Sequence, residues 1–341
     1  MEASRQAELS VEPPAVVGLF AHRELGSLVD GEPVEGAYAI RDRSRRPTKR
    51  GGEWLKLVLS DSSGSTDAKV WDRVEERHEI CRPGAVVWVS GRYEVSAQWG
   101  SAIVIDRVRA ALAEEYDPAD LIGGGPIPIE RLERKLRELL ETIQTPDLRA
   151  LLDRFFGLES PRWSRIRIAP AAKHYHQAFV HGLLDHTVSV AEAVSAAAAT
   201  FGGIDRDVAV TGALLHDIGK TEAYNDDPLA IDLTDLGRLH GEIPLGYYMV
   251  RREIESIGGF DPGLAKAVLH IILSHHGKLE HGSPVVPATR EATLVHAMDN
   301  LGGTLGSFDR IESALPDGEA WLGFDRALGG GAYFGGRAAP K

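Results

Sequence analysis

Residues 208–220 read VAVTGALLHDIGK. An apolar helix, Val208 to Leu215, ends on an adjacent imidazole and carboxylate, His216-Asp217. Neighbouring residues on a helix point in different directions, so two of them reach one ion only where the backbone turns. Gly219, just beyond the pair, allows that turn. A second pair, His275-His276, also closes a helix and is also followed by a glycine, Gly277. His186 upstream and Asp299 downstream lie on further helices. Imidazole and carboxylate donors without thiolate suit Mn²⁺, Fe²⁺ and similar divalent ions. Such ions acidify water and clamp phosphate. Most of the 13 histidines fall between His174 and His296. His22, His78, His270 and His296 are read as ordinary surface or core histidines.

Away from this centre the chain is predicted to be helical from about Ala169 to Leu301. Asp261-Pro262 opens one helix, with Leu264, Val268 and Ile271-Ile272 on its apolar side. Leu229 to Leu239 has no helical period and is expected to form a small β-hairpin. Upstream, Leu132, Leu136, Leu139, Leu140 and Ile143 recur at helical spacing. Thr145-Pro146 reads as an N-cap and first helical residue. Gly123 to Pro126 marks a connector.

Further upstream the period changes to two. Leu55, Leu57 and Leu59 alternate with Lys56 and Val58, and Asp61 to Gly64 is a turn signal. Strands are expected at Val34–Arg41, around Leu55–Leu59, at Ser65–Trp71, at Ala85–Val95 and at Ala102–Val108, with a helix at Asp72–Ile80 between the third and fourth. Five strands with a helix in that place predict an OB-fold, a small barrel that often binds oligonucleotides. The fold class is thus two-domain α+β: a five-stranded OB-fold barrel at 16–112, connecting helices at 113–160, an all-α domain at 161–310 and a Gly-rich tail at 311–341.

Six of the ten residues from Arg41 to Arg50 are basic. They read either as a solvated hairpin tip or as a nucleic-acid contact through Arg43, Arg45, Arg46 and Lys49. The net charge of −12 argues against a protein that coats nucleic acid without selectivity. No apolar stretch approaches the ~20 residues of a membrane span, and the acidic, polar start lacks the pattern of a secretory signal. With Cys81 as its one cysteine the chain forms no internal disulfide. A cytoplasmic location is expected.

The order His186, His216-Asp217, His275-His276, Asp299 resembles the HD-domain metal phosphohydrolases. The strings Gly182 to Thr187, Leu215 to Lys220, Ser274 to Glu280 and Asp299 to Leu301 are similar to those of the YhaM-type 3′→5′ exoribonucleases. Trp54 to Leu57, Asp61, Gly64 and Ala68 to Trp71 resemble that family's OB domain. The resemblance runs from about Val34 to Leu301. It implies hydrolysis of phosphodiester bonds in single-stranded RNA, and also single-stranded DNA as a second candidate, to nucleoside monophosphates. It implies one or two divalent ions, with Mn first and Mg, Fe or Co as alternatives, and Asp217 bridging them.

The family's glycine-histidine pair between the two motifs falls on Gly241-Glu242, so Glu242, or His240 in a shifted register, takes the second-metal position. Lys220, one turn after Asp217, is a candidate phosphate contact. Lys173, His176, Lys69 and Lys278 are expected to touch substrate. Trp54, Trp71, Trp88, Tyr93 and Trp99 are available for base stacking or for the core. Two other readings stay open: an HD hydrolase of free nucleotides with a regulatory OB domain, and a nucleic-acid binding protein with an inactive HD domain. A DNA exonuclease and self-association into a homo-oligomer are also left open.

Overall fold

The structure is a computed structural model and describes residues 22–49, 51–96, 100–173, 177–313, 315, 319–325 and 328–335. Trp99 and His176 lie outside the described residues. The chain divides between Leu121 and Ile122 into two compact units.

The first unit is a closed barrel of β1 (Pro33–Pro47), β2 (Glu53–Asp61), β3 (Gly64–Val70), β4 (Val86–Ser96) and β5 (Gly100–Ala110), with α1 (Val74–Ile80) between β3 and β4. The strand order around the barrel is β1-β2-β3-β5-β4. β3 and β5 run parallel and the other pairings are antiparallel. This is the OB-fold. The period-two pattern sets its faces: Leu55, Leu57, Leu59, Ala68 and Val70 are fully buried, so Trp54, Lys56 and Lys69 point outward. Each buried leucine contributes ~1.5–3 kcal/mol. Gly91 stands at a bulge of β4, where a Cβ would lie 2.3 Å from the Val104 carbonyl oxygen, so a larger residue would force the two strands apart. Cys81 is fully buried, and burial pushes its thiol up to about 11. A short helix, α2 (Pro118–Leu121), ends the unit.

β1 is longer than the sequence predicts. It runs to Pro47, so Arg41 to Arg46 belong to the strand, and β2 begins at Glu53.

The second unit is helical: α3 (Ile129–Thr142), α4 (Pro146–Phe156), α5 (Trp163–Ile168), α6 (Gly182–Ala198), α7 (Arg206–Leu215), α8 (Lys220–Ala223), α9 (Asp235–His240), α10 (Glu242–Ser256), α11 (Pro262–Ser274) and α12 (Arg290–Ser313). One core joins them, with Leu136, Phe155, Leu184, Val210, Leu214, Ile272 and Val295 buried at helical spacing. Caps fix the helix starts. Asp205 accepts from the Val208 amide ahead of α7, and Asp261 accepts from Gly263 and Leu264 ahead of α11. Thr145 precedes α4 but does not cap it through its side chain: its hydroxyl and amide both donate to Asp207.

The expected β-hairpin at Leu229–Leu239 is absent. A single antiparallel bridge joins Tyr224 to Leu233, and α9 follows directly. Thr234 accepts from the Gly237 amide, and this cap starts a helix too short to leave an apolar period. In the Gly-rich C-terminal stretch, β6 (Trp321–Asp325) and β7 (Gly330–Tyr333) pair as a two-stranded sheet. Among the described residues no helix is long and apolar enough to cross a membrane.

Candidate metal centre

Four helices deliver the donors. His216 is the C-cap of α7 and His275 the C-cap of α11. His186 lies in the second turn of α6, and Asp299 lies within α12. A helix C-terminus carries the negative end of the peptide dipoles. With two of them at the cluster, the backbone itself favours a cation there.

The donor atoms converge. His186 Nε2 lies 3.2 Å from His216 Nε2, 3.2 Å from Asp217 Oδ2 and 3.1 Å from Asp299 Oδ1. His216 Nε2 lies 3.3 Å from Asp217 Oδ2 and 3.8 Å from Asp299 Oδ1. On the other side of the same carboxylate, Asp217 Oδ1 is 3.5 Å from His275 Nε2, which is too long for a well-formed hydrogen bond. Both of those atoms are buried and have no hydrogen-bond partner. An unpaired buried donor or acceptor costs about 1–3 kcal/mol. A divalent ion coordinated by these atoms removes that cost, so the residues present fit a metal. Among the described residues three overlapping groups could each hold an ion: His186 with His216 and Asp217, His216 with His275 and Asp299, and Asp217 with His275 and His276.

The imidazoles are held in one tautomer. His216 Nδ1 donates to the Ala213 carbonyl at 2.7 Å, His275 Nδ1 to Ile272 at 2.8 Å and His276 Nδ1 to His281 at 2.9 Å. A carbonyl only accepts, so the hydrogen sits on Nδ1 and the Nε2 lone pair faces inward. Burial alone would push the His186 imidazole down, but Asp217 and Asp299 outweigh it and raise it to about 9. Asp217 is held well below the usual carboxylate range: burial opposes this, and Lys220 and His216 overcome it. Both shifts describe a cavity arranged for positive charge.

Lys220 Nζ donates to Asp217 Oδ2 at 2.7 Å. Glu242, the first residue of α10, places Oε1 3.8 Å from His276 Nε2. His240 ends α9 and is exposed. The sequence does not single out Tyr224, which is half-buried; burial pushes its phenol up, Lys220 opposes that, and the carboxylate of Glu242 adds to the rise. The spacing of four between Lys220 and Tyr224 was the available signal.

The expected substrate contacts of each unit have their own partners there or lie exposed. Lys173 pairs with Asp232 at 3.1 Å and Lys278 with Glu280 at 3.6 Å. On the barrel, Arg43 donates to the His78 carbonyl, and Arg45 pairs with Glu75 at 2.8 Å and Glu53 at 3.7 Å. Arg46 and Lys49 are exposed. Trp54 stacks on Trp71 at 5.1 Å and 27°, and Trp71 stays 53% exposed. Arg46 lies across from Trp54 on the outer face, and Lys69 lies across from Lys56. Trp88 is buried.

Comparison with known proteins matches residues 183–303 to the HD domain family. The 3'-5' exoribonuclease YhaM of Geobacillus sp. (strain WCH70) is 29% identical over 295 residues, spanning 85% of this chain and 88% of that protein. The 3'-5' exoribonuclease YhaM of Bacillus subtilis (strain 168) is 29% identical over 291 residues, spanning 85% of this chain and 90% of that protein. The second OB-fold domain of replication protein A from Methanococcus maripaludis matches 26% of this chain and 92% of its own length at 17% identity and a TM-score of 0.22. The OB-fold assignment rests on the barrel's own strand order. Residues 183–303 are therefore an HD domain, and the chain as a whole resembles the YhaM-type 3′→5′ exoribonuclease family.

Proposed function

We propose that this chain is a metal-dependent 3′→5′ exoribonuclease that releases nucleoside monophosphates from single-stranded RNA in the cytoplasm. The observation that carries the reading is the buried cluster of His186, His216, Asp217, His275 and Asp299, with two donor atoms left unpaired. His186, His216, Asp217 and Asp299 would hold one ion, and His275, His276 and Glu242 a second, with Asp217 facing both. Divalent ions in such a site acidify water and neutralise charge on a phosphate. Nitrogen and oxygen donors without thiolate accept Mn²⁺, Mg²⁺, Fe²⁺ or Co²⁺, and Mn²⁺ is the first to test.

The chain's own groups do the rest. Lys220 keeps Asp217 ionised through its 2.7 Å contact and adds positive charge beside the phosphate. The carbonyls of Ala213, Ile272 and His281 fix three imidazoles before any ligand arrives, so little reorganisation is needed on binding. On the barrel, Trp54 and Trp71 offer a surface for bases and Lys69 and Arg46 offer charge for the backbone, a combination that suits single strands of any sequence.

End-labelled single-stranded RNA incubated with Mn²⁺ tests the reading, with single-stranded DNA as a parallel substrate. A ladder that shortens from the 3′ end is expected. Turnover of mononucleotides alone would assign the site to a free-nucleotide hydrolase instead.

A further inference from the structure

His296 and Asp299 lie one turn apart on the same face of α12. Asp299 enters the cluster. His296 reaches the other ligand arm: its Nδ1 is 2.7 Å from the His275 carbonyl oxygen. Because the carbonyl accepts, the ring hydrogen sits on Nδ1, as in His216, His275 and His276. The accepting carbonyl belongs to the C-terminal turn of α11, where the last carbonyls have no donor within the helix.

The same ring fills the space over the turn. Gly277 has φ +79°, and a Cβ on it would lie 2.1 Å from His296 Cε1 and 2.2 Å from Nε2. The turn that presents His275 and His276 is thus held by a hydrogen bond on its carbonyl and by an imidazole against its glycine.

We propose that His296 is a positioning residue that ties the His275-His276 turn to the helix carrying Asp299, so that donors from α11 and α12 keep one spacing. The proposal rests on the metal-centre reading above. His296 itself holds no ion; its effect passes through His275. Removing a hydrogen bond that orients a metal ligand costs about 10–100-fold in metal affinity.

The test is Mn²⁺ titration calorimetry on the metal-stripped full chain, with thermal melting of the metal-free proteins recording the fold. His296→Leu removes the donor. His296→Asn carries an amide nitrogen near the Nδ1 position, and His296→Gln carries one near Nε2. The Leu and Gln variants are expected to lose about 10–100-fold in Mn²⁺ affinity, and the Asn variant to approach the wild type. Wild-type affinity in His296→Leu, or equal recovery by Gln and Asn, overturns the proposal. Should His296→Leu fail to fold, the comparison of Asn with Gln decides alone. A wild type that binds no divalent ion defeats the metal-centre reading and this inference with it.

Discussion

The basic run on β1 and the buried cluster of the helical unit treat their polar groups in opposite ways. On β1 the basic run is conspicuous in the sequence, yet Arg43 and Arg45 are already engaged by the His78 carbonyl, Glu75 and Glu53. At the cluster of the helical unit the polar atoms are hidden, and two of them, Asp217 Oδ1 and His275 Nε2, have no partner. Exposed charge finds partners or water at little cost, and its pairs contribute about 0–1 kcal/mol. A buried atom left unpaired is expensive, and it therefore says more about a missing ligand than a run of arginines says about a polyanion.

The largest expected effect separates the units outright. Asp217→Asn, or metal removal by a chelator, should lower RNA hydrolysis by about 10³-fold or more, because the ligands act as a unit. RNA retention in a gel-shift assay should stay near the wild-type level. Parallel loss of binding and hydrolysis would break the comparison by placing RNA capture at the cluster. Metal removal should also lower the melting temperature, since an ion at 100 times its Kd stabilises the fold by about 2.7 kcal/mol.

A smaller effect sharpens the picture within the helical unit. Glu242 lies near His276 whereas His240 is exposed. Glu242→Gln is therefore expected to weaken Mn²⁺ binding by about tenfold or more, with His240→Ala near wild type, on the scale of a lost ligand interaction. Titration of both variants decides, and the reverse ranking would put His240 in the ligand position.

On the barrel, Trp71→Ala should cost about 1–3 kcal/mol of RNA affinity, the usual contribution of one stacked base. Hydrolysis of a small chromogenic phosphodiester should not change. Equal losses on both substrates would mean that Trp71 supports the fold or the cluster.

The smallest effect concerns salt. Arg46→Ala and Lys69→Ala should each reduce the salt slope of RNA binding by about 0.7, as one released counterion predicts for a single strand. Arg43→Ala and Arg45→Ala should change it less, since both guanidinium groups are engaged. Four equal slopes would show that those contacts give way to RNA.

The sequence made visible what local periodicity and adjacency encode. Alternation at Leu55–Leu59 set the barrel's inner face, and the pairs His216-Asp217 and His275-His276 marked the helix ends that meet. It hid what depends on the backbone or on distant partners. The carbonyls that orient His216, His275 and His276 have no residue signature. Glu75, the partner of Arg45, is thirty positions away along the chain. α9 was missed because Thr234 opens only six residues of helix. His296 looked like any helix histidine because its role lies in what its Nδ1 reaches.

The burial of Cys81 has a practical side. Its thiol is sealed inside the barrel and pushed up to about 11, so at neutral pH it offers neither access nor thiolate to a maleimide. With no other cysteine in the chain, a cysteine introduced at an exposed position would be the one site that labels. A fluorophore attached at Leu112 or Leu158, both exposed, would report on one unit at a time without a cysteine-free background having to be built first.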